Sequence, residues 1–109
     1  MPRYVSLVKY TPESLASVRA AGYASRVDAL RGAIESIGGK LEAVEFMSSG
    51  EWDLMIRAEA PSSEANFAMA SMSWASGVAE RFVTYEVFTA AEADAAIAAS
   101  SISYTAPGE

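Results

Sequence analysis

Hydrophobic and polar positions change their period several times along this chain, and each change marks an element. Residues 3 to 10, RYVSLVKY, are β-branched and aromatic with partial alternation, which predicts a first strand. Thr11-Pro12-Glu13 then opens a helix: Thr caps the free amides, Pro fits the first turn, and Glu sits at the positive end of the dipole. Leu15 and Val18 mark its buried stripe, and Gly22 predicts a break. The stripe resumes at Tyr23, Val27, Leu30, Ile34 and Ile37, and Gly38-Gly39 ends this second helical segment.

Residues 40 to 48, KLEAVEFMS, read as strand two; Ala43 and Val44 break its alternation, which makes it the place where a bulge would exchange the faces. Residues 52 to 60, WDLMIRAEA, read as strand three. Trp52, Leu54, Ile56 and Ala58 share one of its faces, and Asp53, Met55, Arg57 and Glu59 share the other. Ser48-Ser49-Gly50-Glu51 between them reads as a hairpin turn. Pro61 stops the strand. Ser62 or Ser63 caps a helix of about 12 residues carrying Phe67, Met69 or Ala70, and Trp74, and Gly77 ends it. Residues 78 to 88, VAERFVTYEVF, alternate as strand four, with Ala79, Arg81, Val83, Tyr85 and Val87 on one face. Thr89-Ala90-Ala91-Glu92 is a capping box for an Ala-rich helix over residues 89 to 99. The tail, SSISYTAPGE, has no period and is expected to be frayed or docked on a neighbour.

This order is βαββαβ plus a C-terminal helix. An α+β, ferredoxin-like arrangement satisfies it: an antiparallel four-stranded sheet with both main helices on one face. On strand one Tyr4, Val8 and Tyr10 oppose Val5 and Leu7, and strand four also has apolar residues on both faces. A thin sheet with two apolar faces predicts that a second copy covers the open one, giving a homodimeric α+β barrel with room inside for a small molecule.

Composition narrows the chemistry. The 109 residues suit one domain, here 1 to 99 with a tail of 100 to 109. Eight Lys and Arg against 14 Asp and Glu give a net charge of −6, a balance that disfavours nucleic acid. With no Cys, disulfides and thiolate chemistry are excluded. With no His, the default general base and the commonest zinc ligand are missing, so neither a hydrolase triad nor a cofactor is expected. No membrane-length apolar run and no signal-peptide core occur, so a cytoplasmic location without membrane partners is expected.

The hairpin reads Gly50-Glu51-Trp52-Asp53-Leu54. It resembles the GYD-domain family, small bacterial proteins with a Gly, aromatic, Asp signature at this place. Tyr4-Val5, Lys9-Tyr10-Thr11-Pro12-Glu13, Gly38-Gly39-Lys40-Leu41, Ala60-Pro61 and Val87-Phe88-Thr89 are similar in the same order. Trp52 stands where Tyr is usual and lacks its phenol. The hairpin also resembles the effector-binding half of the Lrp/AsnC regulators, which place small effectors near subunit interfaces. Their DNA-binding helices have no counterpart here. The resemblance implies the dimeric α+β-barrel fold, and it implies no settled biochemical activity.

Tyr10, Trp52, Asp53, Arg81 and Tyr85 are the candidate ligand-binding residues. Gly50 reads as a positive-φ turn residue. Trp52 is a core or interface anchor, or a stacking platform. Asp53 accepts backbone amides from a neighbouring turn, or orients a ligand amine or hydroxyl. Arg81 and Arg57 pair with Glu59, Glu80 or Glu86, or bind a ligand carboxylate. Tyr4, Tyr10 and Tyr85 line a cavity with their hydroxyls or are half-buried sheet residues. The leading expectation is a homo-oligomeric small-ligand-binding module. The alternative is a cofactor-independent enzyme, monooxygenase- or isomerase-like as in the wider superfamily, using Asp53.

Overall fold

A computed structural model describes residues 1–108. Strands β1 (Arg3–Tyr10), β2 (Lys40–Phe46), β3 (Leu54–Glu59) and β4 (Ala79–Val87) form one antiparallel sheet in the order β2-β3-β1-β4. Helices α1 (Pro12–Ala21), α2 (Tyr23–Ser36), α3 (Ser63–Ala75) and α4 (Ala90–Ala99) complete the α+β, ferredoxin-like arrangement. The expected break between α1 and α2 falls at Gly22, whose φ of 98° is open to glycine and not to most side chains. Thr11 and Ser62 cap α1 and α3 by accepting the N–H groups of Ser14 and Ala65.

β1 lies between β3 and β4, and its alternation sorts the molecule into two faces. Val8 and Tyr10 join Val18, Ile34, Leu54, Ile56 and Ala79 in the core beneath the helices. Val5, Leu7 and Lys9 point the other way, beside Met55 and Arg57 of β3 and Arg81, Val83 and Tyr85 of β4. The alternation of β2 is interrupted by a register shift between Leu41 and Ala43. A second register shift, opposite Lys9 and Tyr10, corrects one face assignment. Simple alternation puts Ala79 beside Arg81, but Tyr10 pairs with Ala79 and Lys9 with Arg81, so the extra residue turns Ala79 into the core. The connection between β2 and β3 is also longer than a tight turn, and neither Trp52 nor Asp53 belongs to β3.

Gly39 holds the α2–β2 junction against the far end of β3. A Cβ there would sit 2.5 Å from the Glu59 carbonyl oxygen and 3.0 Å from Ile34 Cγ2. Backbone oxygen cannot swing aside as a side chain can. Gly39→Ala is therefore expected to cost about 3 kcal/mol, the upper end for overpacking, measured by urea denaturation.

α4 stands apart from the core, and every residue from Ala90 to Ala99 is exposed. The Cα radius of gyration is 16.9 Å with a longest extent of 56 Å, against about 13 Å for a compact chain of this length. The capping box anchors the start of α4: Thr89 Oγ1 accepts the Glu92 N–H, and Glu92 Oε1 accepts the Thr89 N–H. Arg3 donates to the same carboxylate oxygen at 2.7 Å. The Thr89 backbone N–H, followed by the Arg3 side chain, holds the Glu92 carboxyl below the usual range. A lowered folded value means that this support is present above the ordinary carboxylate range and is lost as pH falls through the folded value. Amide exchange in the first turn of α4 should accelerate on acidification through that range, relative to the exchange expected for unprotected amides at each pH, and Glu92→Gln should largely remove the step.

Candidate functional site

Asp53 sits just before β3, where the sheet opens toward the hairpin loop. Its N–H donates to the Val8 carbonyl at 2.8 Å, and its own carbonyl accepts the Met47 N–H at 2.8 Å. Carboxylate Oδ2 accepts the Tyr10 N–H at 2.8 Å, at the point where β1 and β4 change register. Lys9 Nζ approaches Oδ1 at 3.3 Å, and the Asp53 side chain is only 14% exposed. The carboxylate thus takes a structural role, accepting a backbone amide from the end of β1. Its oxygens still have lone pairs for a further donor.

A cavity of about 160 Å³ opens beside it, between the hairpin and the α1–α2 junction. Tyr10 and Asp53 form one wall, with Leu15 of α1, Tyr23 of α2, and Phe46, Met47 and Ser48 around the rest. Tyr23 and Phe46 meet edge to face, with centroids 4.7 Å apart and planes at 68°. Tyr10 is 2% exposed, and Arg26 Nε donates to its hydroxyl at 3.1 Å while the guanidinium lies 5.8 Å from the ring centroid. The arrangement offers a carboxylate and a Ser hydroxyl on one side and aromatic edges on the other.

The remaining candidates lie elsewhere. Arg81 donates from Nη1 to Glu51 Oε1 at 3.0 Å and from Nη2 to the Glu51 carbonyl at 2.9 Å. Its guanidinium also lies 5.2 Å from the Trp52 ring centroid. This cluster ties the hairpin loop to β4. It corrects two readings: Arg81 pairs with Glu51 in place of Glu59, Glu80 or Glu86, and Trp52 leaves the face of Leu54 because strand alternation does not extend into the loop. Both charged groups are about half exposed or more, so the ion pair itself contributes little. Tyr85 is 57% exposed on the open face of the sheet, opposite Val5. Gly50 has φ 106°, as the turn reading requires.

Sequence reasoning missed Lys9, Arg26, Tyr23 and Phe46 as site components. Tyr23 reads there as part of a buried stripe; it is 43% exposed and forms the cavity rim. The one available signal was the spacing of Tyr23 and Arg26, three apart on a helix and so on one face. Among the described residues no cluster of Asp and Glu has metal-binding geometry, and no helix is long and apolar enough to cross a membrane. Asp53→Ala should leave the Tyr10 amide without its acceptor and cost about 1–3 kcal/mol in urea denaturation. Asp53→Asn retains a carbonyl acceptor and should cost less.

The family model described as GYD domain matches residues 4–97, from the first residues of β1 into α4. Among curated proteins no match to the chain is found. The matched segment contains the sheet apart from Arg3 and every residue of the Asp53 cavity, and the chain belongs to the GYD-domain family.

Proposed function

We propose that this protein is a small-ligand-binding module that works as a homodimer or larger homo-oligomer, with its ligand at the hairpin end of the sheet. The observation that carries this reading is the cavity of about 160 Å³ with the Asp53 carboxylate in its wall. Its ligand is small, with an N–H or O–H donor for Asp53 or Ser48 and an apolar part that packs against Tyr23 and Phe46. Tyr10 supplies the floor, and Arg26 fixes the orientation of its ring.

The open sheet face supports the oligomeric part. Val5, Leu7, Met55, Val83 and Val87 are only partly covered there, and Tyr85 is exposed. A second copy packed face to face removes this apolar surface from water. The exposed Ile97, Ile102 and Tyr104 of α4 and the tail give the same partner further apolar surface to cover. Trp52 and Arg81, tied to the hairpin from the open side, then lie where the two copies meet and shape the site from outside.

Native mass spectrometry of freshly purified protein, followed by denaturation of the same sample, tests both parts. The expected result is a dimer or larger assembly that releases a small molecule. Asp53→Asn protein should assemble equally well and carry about a tenth of the load or less, as expected if one charge-assisted hydrogen bond is lost. A strict monomer at micromolar concentration overturns the assembly, and a fully loaded Asp53→Asn protein overturns the site.

A further inference from the structure

A second cavity lies beneath the helices, toward the opposite end of β1. Tyr4, Ile34, Ile56, Met69 and Phe82 contribute to its wall, and its volume is about 70 Å³. A smaller space of about 30 Å³ continues it toward Val8 and Ala79, and the two share Leu30, Ile56, Ser73 and Phe82. Together they form one slot between the sheet and helices α2 and α3. Its Tyr4 end shares no residue with the Asp53 cavity, and its far end meets that cavity only at Tyr10, which lines both.

The polar groups along this slot are mostly satisfied. Ser6 and Thr84 pair their hydroxyls at 2.8 Å, and Ser73 Oγ donates to the Met69 carbonyl at 2.9 Å. Tyr4 is the exception. It is 7% exposed, and its buried hydroxyl has no hydrogen-bond partner among the described residues. A buried phenol without an acceptor is costly, and native interiors rarely retain one. Burial, then the charge and the hydrogen-bonding reach of the Glu86 carboxylate, paired with Tyr4 across the strands, and then the charge of Glu64, push the Tyr4 phenol above its usual range. It is therefore a neutral donor, and the same carboxylates disfavour an anion beside it.

The helix above the slot covers it loosely. α3 turns Asn66, Met69 and Ser73 toward it, while Phe67 and Met72 are exposed. Among the described residues none of α3 is buried, so little packing opposes an occupant that displaces the helix slightly.

We propose that this slot is a second binding site, for a neutral, mainly hydrocarbon small molecule whose one hydrogen-bond acceptor, such as a carbonyl oxygen, takes the Tyr4 hydroxyl. The apolar walls supply affinity without direction, and the single phenol supplies orientation. The site stands or falls independently of the Asp53 cavity.

Cyclopentanone and cyclopentane serve as a matched pair of probes, one with the acceptor and one without. Both are titrated into the intact protein and followed by NMR of the Leu30, Ile34, Ile56 and Met69 methyl groups. Leu15 and Met47 report on the Asp53 cavity as controls. Both probes should shift the slot methyls before the controls, and cyclopentanone should bind more tightly. Tyr4→Phe should weaken cyclopentanone by roughly 3- to 10-fold and leave cyclopentane within about twofold. Ligand-free Tyr4→Phe should melt no lower than the parent, because it removes a hydroxyl with no partner. Silent slot methyls, equal affinities of the parent for both probes, or an unchanged cyclopentanone affinity in Tyr4→Phe each overturn the proposal. A lower melting temperature of ligand-free Tyr4→Phe also overturns it, since the hydroxyl would then already be satisfied within the protein.

Discussion

One sheet has two faces, and this chain has helices for only one of them. That constraint is focused on β1, which pairs on both sides and so cannot relax at an edge. Its alternation sends Tyr4, Val8 and Tyr10 beneath α2 and its neighbours, and Val5, Leu7 and Lys9 outward. Both cavities border the inward set: Tyr4 is at one end, Tyr10 at the other, and Val8 lies between them. The outward set lines the open face, which the helices packed on the core leave uncovered. A change in the phase of β1 would exchange the two sets, so the two cavities and the open face depend on the same alternation.

The hairpin end is held from two sides by different means. On the helical side the Asp53 carboxylate closes the end of β1 through a backbone amide. On the outer side Arg81 grips the Glu51 side chain and carbonyl and lies over Trp52. Neither contact is strong by itself, yet they restrain adjacent residues from opposite directions. The loop around the Asp53 cavity therefore behaves as a braced wall.

Most of the elements were legible in the pattern of residues because their signals are local. Thr11-Pro12, the capping box at Thr89 and Glu92, and the positive-φ glycines each act within a few residues of themselves. What escaped depends on pairing between distant strands. Ala79 changes face because of a register shift against β1, a feature that its own strand's alternation does not record. Trp52 leaves its face because β3 begins two residues later than the apolar pattern implies. Asp53 was legible as a residue with a choice of roles, but its acceptor role depends on Tyr10, 43 positions away. Tyr4 was legible as sharing a strand face with Val8 and Tyr10. That its hydroxyl finds no partner depends on what four other elements place around it.

The register of β1 also bears on how the chain is made. Arg3 pairs with Glu59 on one side and with Val87 on the other. The earliest strand of the sheet is thus the last to have both its neighbours, and every residue through β4 must be synthesised before its ladder can close. Helices α1 and α2 can form early from local contacts, but they lack the sheet that buries them until β3 and β4 arrive. Long-range closure of this kind slows folding and leaves the apolar residues of β1 open to unwanted pairing in the interval. Lys9 and Arg3 at its two ends are placed to discourage that, as charges do on exposed strands.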